Sequence, residues 1–169
     1  MENTSENRPL WAPWRIEYVR SAKDGPCFIC QKARPGDHDE SRHVITRGDN
    51  CYVLLNQFPY TSGHMLIAPY RHIDDISELT DMEAAEVFGM IARAQKVLRR
   101  VMQPQGFNVG CNIGRIAGAA VEGHIHIHLV PRWSGDTNFM PVLADCQCIP
   151  EALDATCRLL RQGWSETES

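Results

Sequence analysis

The chain lacks the sequence features that predict binding to a nucleic acid polymer or to a membrane. Lysine and arginine number 17 against 21 aspartates and glutamates, which gives a net charge of −4. Without an excess of positive charge, a nucleic acid polymer is not an expected partner. No apolar run approaches the length of a membrane span, and residues 1–9 lack the apolar segment of a secretory signal. We therefore expect a soluble, cytoplasmic protein that binds neither a nucleic acid polymer nor a membrane.

Cysteine is present, but not in a number that suits a disulfide framework. The chain has seven cysteines among 169 residues, an odd count that fits a reducing compartment. With 43% hydrophobic residues and no internal repeat, a chain of this length is expected to form one compact core. We expect an N-terminal arm at residues 1–24, a domain at 25–140 and a C-terminal helical extension at 141–169.

The most informative stretch is His-Ile-His-Ile-His-Leu-Val-Pro-Arg-Trp, residues 124–133. If it is extended, His124, His126 and His128 share one face of a strand, and the apolar residues between them face the other way. The imidazoles would then follow one another at roughly 6–7 Å. A strand that is only scaffold does not need three such groups, because each needs hydrogen-bond partners once it is buried. The row therefore predicts an active site or a metal site.

The remaining pattern predicts an α+β fold in which an antiparallel sheet packs against one long helix. Thr80 and Glu83 have the spacing of a capping box, and apolar residues then recur at helical steps. Short connections between the early strand-like runs favour antiparallel pairing. Pro131 is expected to end the histidine strand or to place it at an edge. The predicted strands cover 43–46, 51–55, 65–68, 107–112 and 124–130, the predicted helices cover 81–102 and 149–163, and the apolar face of the first helix comprises Val87, Phe88, Ile91, Ala94, Val97, Leu98 and Val101.

Cys27 and Cys30 form a Cys-x-x-Cys pair that follows the turn residues Gly-Pro. This spacing lets two thiolates bind one zinc ion, which then needs two further ligands. A redox-active dithiol has the same spacing. The pair alone therefore leaves both interpretations open.

The triple His-apolar pattern, followed by two apolar residues, resembles the signature of the histidine triad (HIT) superfamily of nucleotide hydrolases and transferases. Residues 56–69 and 108–118 line up with further family segments in the same order, and the resemblance covers roughly residues 25–133. Residues 10–15 and 135–139 are similar to the bacterial branch of diadenosine tetraphosphate hydrolases and phosphorylases. The resemblance implies a HIT-like antiparallel sheet with one long packed helix and a C-terminal helix.

The resemblance also implies which side chains form the site. The middle histidine of the family triad is the nucleophile and forms a nucleotidyl-histidine intermediate, which by the matching motif is His126. His128 then contacts the phosphate and His64 supports the site. The implied substrate-binding residues are Asn56 for the ribose, Asn112 and Gly118 near the phosphate, and Phe28 and Ile29 for the base.

A structural zinc is implied as well, and no organic cofactor. Zinc-bearing bacterial members use the Cys-x-x-Cys pair, the histidine of a Pro-x-x-His segment and the first triad histidine. The matching residues are Cys27, Cys30, His72 and His124. Four ligands of this type make a closed tetrahedral site, which argues for a structural ion.

One segment departs from the family pattern. Many members carry Gly-Gln and a small hydroxyl residue before the triad, whereas residues 118–123 here read Gly-Ala-Ala-Val-Glu-Gly. Backbone N–H groups of this loop are expected to replace the missing side-chain contacts to the leaving group. Members of the family commonly form dimers, so a homodimer is expected, and Trp11 and Trp14 fit such an interface.

The expected function is cleavage at the α-phosphate of dinucleoside polyphosphates, such as diadenosine tetraphosphate, through an AMP-histidine intermediate. The expected partner is accordingly an adenine nucleotide or a dinucleoside polyphosphate. A hydrolase with one catalytic metal on all three triad histidines is disfavoured, because the outer two would lie about 13 Å apart along a regular strand. A regulatory nucleotide-binding protein with slow or no turnover, or another AMP-transferring or phosphoramidate-cleaving enzyme of the family, is the alternative.

Overall fold

The computed structural model describes residues 26–36, 38–117, 123–136 and 152–167. The predicted arm at 1–24, with Trp11 and Trp14, and the loop residue Gly118 lie outside these ranges. Within them the α+β fold is confirmed, because an antiparallel sheet carries helices on both faces. The strands are β1 Val44–Arg47, β2 Cys51–Leu55, β3 Met65–Pro69, β4 Gly106–Gly110 and β5 Ile127–Arg132, and the helices are α1 Phe28–Ala33, α2 Asp81–Val101 and α3 Leu153–Ser165.

The sheet has the order β1-β2-β3-β5-β4, so the predicted meander of the first three strands is confirmed. The histidine strand β5 lies inside the sheet and ends at Arg132, one residue after Pro131. Of the two outcomes expected for Pro131, the edge position is therefore wrong. The strand begins at Ile127, later than the expected His124, and runs through Pro131. Pro131 is tolerated there because the pairing of β3 with β5 ends at Leu129, so the proline lies beyond that ladder.

Helix α2 packs across one face of the sheet and begins with the predicted capping box. The Thr80 hydroxyl accepts the backbone N–H of Glu83, and the Glu83 carboxylate accepts the backbone N–H of Thr80. Val87 is buried, whereas Phe88 is 73% exposed, so its predicted place on the apolar face is wrong. Phe88 follows Val87 by about 100° around the helix and thereby leaves the core. The buried residues of α2 are Glu83, Val87, Met90, Ile91, Ala94, Val97 and Leu98.

Helix α3 belongs to the same core. Its residues Cys157, Leu160 and Trp164 join one apolar cluster with α2 and the sheet. A Cβ on Gly163 would lie 2.8 Å from the side chain of Val101, so the glycine permits the close approach of the two helices. Within the described ranges, no helix has both the length and the hydropathy needed to cross a membrane.

Alternation along β5 directs the histidines away from this core. Ile127 and Leu129 lie in the cluster beneath α2. His128 pairs directly with Leu66 of β3, which belongs to a second cluster on the opposite face. The functional face of the sheet is therefore the one that α2 leaves open.

Helix α1 covers part of that second face and is fixed there by polar contacts. The Arg47 guanidinium donates to the carbonyl of Ala33 at 2.8 Å and pairs with Asp39. The Tyr52 hydroxyl donates to the carbonyl of Ile29 at 2.7 Å. These bonds hold the helix that contains Cys30 and is capped by Cys27 on the same face as His128.

An ion pair ties α2 to the segment that carries His72. The Arg71 guanidinium donates to both carboxylate oxygens of Glu83, each at 2.7 Å, and Glu83 is only 4% exposed. The bonds from Arg71 hold the pKa of Glu83 at about 2, well below its usual value of 4.5. Because Arg71 directly precedes His72, this pair positions that histidine relative to the helix.

Candidate active site

His64 and His128 form a hydrogen bond whose direction is fixed by the backbone. The N–H of Tyr60 donates to Nδ1 of His64 at 3.1 Å, and Nε2 of His64 lies 2.9 Å from Nδ1 of His128. Because Nδ1 of His64 accepts, its proton is on Nε2 and is donated to His128. Nδ1 of a neutral His128 is thus an acceptor, and its own proton is on Nε2.

His64 is fully buried, and burial, together with the nearby imidazoles of His128 and His126, lowers the pKa of His64 to about 3. It is therefore neutral at physiological pH and keeps its proton on Nε2. The Tyr60 ring covers both histidines, with centroids 4.7 Å from His64 and 6.0 Å from His128. This packing covers one side of the bond between the two imidazoles.

His126 has the opposite tautomer. Its Nδ1 lies 2.9 Å from the backbone carbonyl of His124, which can only accept, so the proton is on Nδ1. Nε2 therefore keeps a lone pair. Burial lowers the pKa of His126, which favours the neutral, nucleophilic form. The ring centroids of His126 and His128 are 4.9 Å apart, so an imidazole with a lone pair on Nε2 neighbours one with an N–H on Nε2.

A second cluster consists of Cys27, Cys30, His72 and His124, whose donor atoms lie within 4.8 Å of one another. Nδ1 of His124 is 3.4 Å from Sγ of Cys27 and 3.3 Å from Sγ of Cys30, and Nδ1 of His72 is 3.2 Å from Sγ of Cys30. Ligands of a tetrahedral zinc ion are roughly 3.3–3.8 Å apart, from its bond lengths. Nε2 of His124 donates to the carbonyl of Pro69 at 2.9 Å, which leaves Nδ1 free to ligate. The donor set therefore fits a divalent metal such as zinc.

The first triad histidine thus does not stand in a row with the other two. Its ring lies in the cysteine cluster, and only its carbonyl reaches His126. Across the described ranges, this cluster is the one group of three or more His, Cys, Asp or Glu donors that converge. One metal held by all three triad histidines does not fit this arrangement. The ring centroids of His126 and His128 are 4.9 Å apart, less than the predicted spacing of 6–7 Å, because residues 124–126 are outside the strand ladder.

Of the predicted substrate-binding residues, Asn56 and Asn112 lie beside the histidines: Nδ2 of Asn56 is 3.3 Å from Nδ1 of His64, and Asn112 lines a cavity with His128. Asn56 follows β2, and its side-chain oxygen accepts the N–H of Phe58 at 3.0 Å. Asn112 follows β4 and lines a cavity beside His128. Phe28 is half-buried on α1, whereas Ile29 is fully buried in the cluster beneath that helix and its side chain is out of reach of a ligand.

Two residues that the sequence analysis missed shape the site. Tyr60 acts through its backbone N–H, which any residue except proline supplies, so its identity gives no signal for that role. Gly123 has φ +85°, and a Cβ there would lie 3.0 Å from Nε2 of His72. The sequence does show a glycine directly before the triad, and this could have indicated its role, since glycine permits both the left-handed backbone and the close approach of His72.

The comparisons with known proteins point to one family. The family model described as HIT domain matches residues 38–135. The AP-4-A phosphorylase of Mycobacterium tuberculosis is 39% identical over 163 residues, which cover 92% of this chain and 84% of that protein. The asymmetrical bis(5'-nucleosyl)-tetraphosphatase of Schizosaccharomyces pombe is 32% identical over 83 residues, or 49% of this chain and 45% of that protein.

Solved structures support the same fold. A Zn-bound histidine triad family protein from Mycobacterium smegmatis superposes with a TM-score of 0.61 at 24% identity, covering 90% of this chain and 94% of that one. Fold and site together define a protein of the histidine triad class. By its sequence the chain belongs to the HIT domain family, and the resemblance stated above is confirmed.

The tautomer and protonation of His64 are directly testable by NMR of its ring nitrogens. We expect His64 to remain neutral with its proton on Nε2 from pH 8 down to pH 5. Its pKa is lower in the folded chain than the usual 6.5, so the unfolded chain binds more protons and stability falls as pH drops from 6.5 towards 3. His64→Gln should remove about 1 kcal/mol per pH unit of that slope between pH 6 and 5. A His64 signal that titrates above pH 5.5 would contradict this.

Proposed function

We propose that the chain cleaves dinucleoside polyphosphates at the α-phosphate through an AMP-His126 intermediate. The observation that carries the proposal is the complementary pair of tautomers at His126 and His128. The likeness to AP-4-A phosphorylase across most of both chains supports this substrate class. Diadenosine tetraphosphate is therefore the substrate to test first.

In the first step, the lone pair on Nε2 of His126 attacks the α-phosphorus. A P–N bond forms while the P–O bond to the nucleoside polyphosphate breaks, and its electron pair leaves with that oxygen. The N–H on Nε2 of His128 donates to an α-phosphate oxygen and offsets its charge. The His126 ring becomes positively charged as it bonds to phosphorus, and its Nδ1–H strengthens its hydrogen bond to the His124 carbonyl.

In the second step, an acceptor breaks the P–N bond and restores His126. Water as acceptor releases AMP, whereas inorganic phosphate releases ADP. With diadenosine tetraphosphate, the other product is ATP in both cases. Because the mycobacterial relative is named a phosphorylase, phosphate is the acceptor to expect.

The substrate contacts are part of the proposal. Phe28 offers a half-buried aromatic surface to the base, with Ile29 as the packed support beneath it. Asn56 is proposed for the ribose, and Asn112 with Gly118 for the phosphate region. Ligand-induced shifts at these residues on AMP binding would test the set.

We also propose that Cys27, Cys30, His72 and His124 hold one structural zinc ion. A closed Cys₂His₂ set has no open position for a substrate, so the ion would supply folding free energy rather than chemistry. The cysteines of the cluster are free thiols, which suits a reducing compartment such as the cytoplasm. The ion would also hold the His124 backbone, whose carbonyl fixes the tautomer of His126.

A homodimer is proposed through the outer edge of β4. This strand pairs only with β5 in the described sheet, and its residue Val109 is 47% exposed. An open strand edge is a ready surface for a second copy of the chain. Light scattering of the purified protein should give twice the chain mass, and a monomer at micromolar concentration would contradict the proposal.

The function is tested by product analysis with diadenosine tetraphosphate, in buffer with and without phosphate. We expect ATP with ADP in phosphate, or ATP with AMP in its absence. His126→Ala should lower kcat by at least about 10³-fold, because the nucleophile is lost. AMP binding, measured by calorimetry, should persist.

His38→Ala, which removes an exposed surface histidine, is the matched control and should retain wild-type turnover. Activity of His126→Ala within tenfold of wild type would remove His126 as nucleophile. Nucleotide binding by the wild type without any turnover would instead favour a regulatory protein.

Metal content tests the zinc proposal independently of turnover. The gently purified chain should contain about one zinc ion, and Cys30→Ser should lose it because a ligand is removed. The same variant should unfold at a lower temperature, since the ion contributes to folding. Cys111→Ser changes a half-buried cysteine outside the cluster and should keep its zinc. Wild-type protein without metal, or full zinc in Cys30→Ser, would contradict the proposal.

A further inference from the structure

A cavity of about 390 Å³ opens beside His128 on the functional face. Its volume falls within the roughly 300–1,000 Å³ of small-molecule pockets. Of the residues that line this cavity, the proposed chemistry uses only His128 and Asn112. The lining residues are Tyr60, Thr61, Asn108, Val109, Gly110, Cys111, Asn112, His128, Val130, Arg132 and Asp136.

The cavity lies on the opposite side of the histidines from α1. Helix α1 packs on residues of β1, β2 and β3, whereas the strand residues of the cavity belong to β4 and β5, at the other end of the sheet order. A substrate with one nucleoside beside Phe28 and its α-phosphate at His126 therefore has its remaining part on the cavity side.

The cavity is electrically balanced. Arg132 is its one cation among the described lining residues, and its guanidinium donates to both carboxylate oxygens of Asp136 and to the side-chain oxygen of Asn108. With Arg132 neutralised and fixed in this way, the lining offers no spare positive charge. A polyphosphate needs such charge, but a neutral nucleoside does not.

The polar and apolar groups of the lining suit a nucleoside. The Asn108 amide carries two N–H donors and an oxygen that accepts from Arg132 with one of its two lone pairs, and Asn112 places a second amide in the lining. Amides of this kind match the edges of a base and the hydroxyls of a ribose. The Tyr60 ring is 37% exposed, which supplies aromatic surface to the face of a base.

We propose that this cavity binds the distal nucleoside of the dinucleoside polyphosphate, the one that departs with the leaving group. The proposal rests on the proposed function and adds to it a residue set that discriminates between substrates. Binding of the distal nucleoside in this cavity would make the chain selective for substrates with a nucleoside at both ends over substrates that end in a bare polyphosphate.

Two glycines of β4 allow a matched test. Gly106 and Gly110 lie on the same face of the strand, and a Cβ on either meets no atom within 4 Å. Gly110 lines the cavity and Gly106 does not. Gly110→Leu would therefore place a side chain in the cavity, whereas Gly106→Leu adds the same side chain to the same face of β4 at a residue that does not line the cavity.

The assay compares diadenosine tetraphosphate with adenosine 5′-tetraphosphate, which has the same reacting phosphate but no distal nucleoside. Gly110→Leu should lower kcat/KM about tenfold or more for the first substrate, mainly through KM, and leave the second within about twofold. Gly106→Leu should leave both within about twofold. Asn108→Ala should show the same selectivity as Gly110→Leu by removing a polar contact rather than filling space.

Gly110 pairs directly with His128, so a substitution there could also disturb the histidines. Adenosine 5′-tetraphosphate is the control for that disturbance, because its cleavage needs the histidines but not the distal nucleoside. Equal losses for both substrates in both cavity variants would mean that the histidines were disturbed, and would overturn the proposal. Unchanged kinetics for both substrates in both variants would place the distal nucleoside elsewhere and would also overturn it. Wild-type protein that cleaves neither substrate would instead contradict the proposed function itself.

Discussion

The site depends on one hydrogen bond, from Nδ1–H of His126 to the backbone carbonyl of His124 at 2.9 Å. It puts the lone pair of His126 on Nε2, where a phosphorus atom can be attacked, and it gives the ring a partner when it becomes charged. The carbonyl is not held by the sheet, because β5 begins only at Ile127. Its peptide unit is held by the N–H of Ile125, which donates to the carbonyl of Ile73 at 2.6 Å. The His124 ring, fixed by the cysteine cluster and by the carbonyl of Pro69, restrains the same residue from its side chain. The cysteine and histidine cluster and the proposed nucleophile are thus two ends of one short segment.

His128, the donor beside the proposed nucleophile, is oriented by an independent chain of contacts. The backbone N–H of Tyr60 makes Nδ1 of His64 an acceptor, and His64 in turn makes Nδ1 of His128 an acceptor. Burial keeps His64 neutral by lowering its pKa to about 3, so the direction of this chain does not reverse at physiological pH. Two neighbouring imidazoles thereby have opposite tautomers, and neither needs a proton from solvent to reach that state.

Much of the fold followed from local patterns. The capping box at Thr80 and Glu83 and the alternation that turns His128 away from Ile127 and Leu129 depend on sequence spacing, which side-chain geometry converts directly into structure. The start of β5 could not be predicted from local sequence patterns, because it is decided by tertiary contacts of His124 and by the positive φ of Gly123. The cysteine and histidine cluster was predicted from family resemblance, since spacing alone left a redox pair equally open. The role of the Tyr60 backbone was beyond sequence reasoning, because it depends on where a loop folds.

The central claim is that His126, and not a neighbouring histidine, carries the transferred AMP. The most direct measurement is mass spectrometry of peptides from protein that was mixed with diadenosine tetraphosphate and denatured within one turnover under alkaline conditions, in which phosphoramidates persist. One adenylyl group on His126, absent from His126→Ala, is the result that this account predicts. An adenylyl group on His128 or His64, or cleavage of the substrate with no labelled peptide at any time, would contradict it.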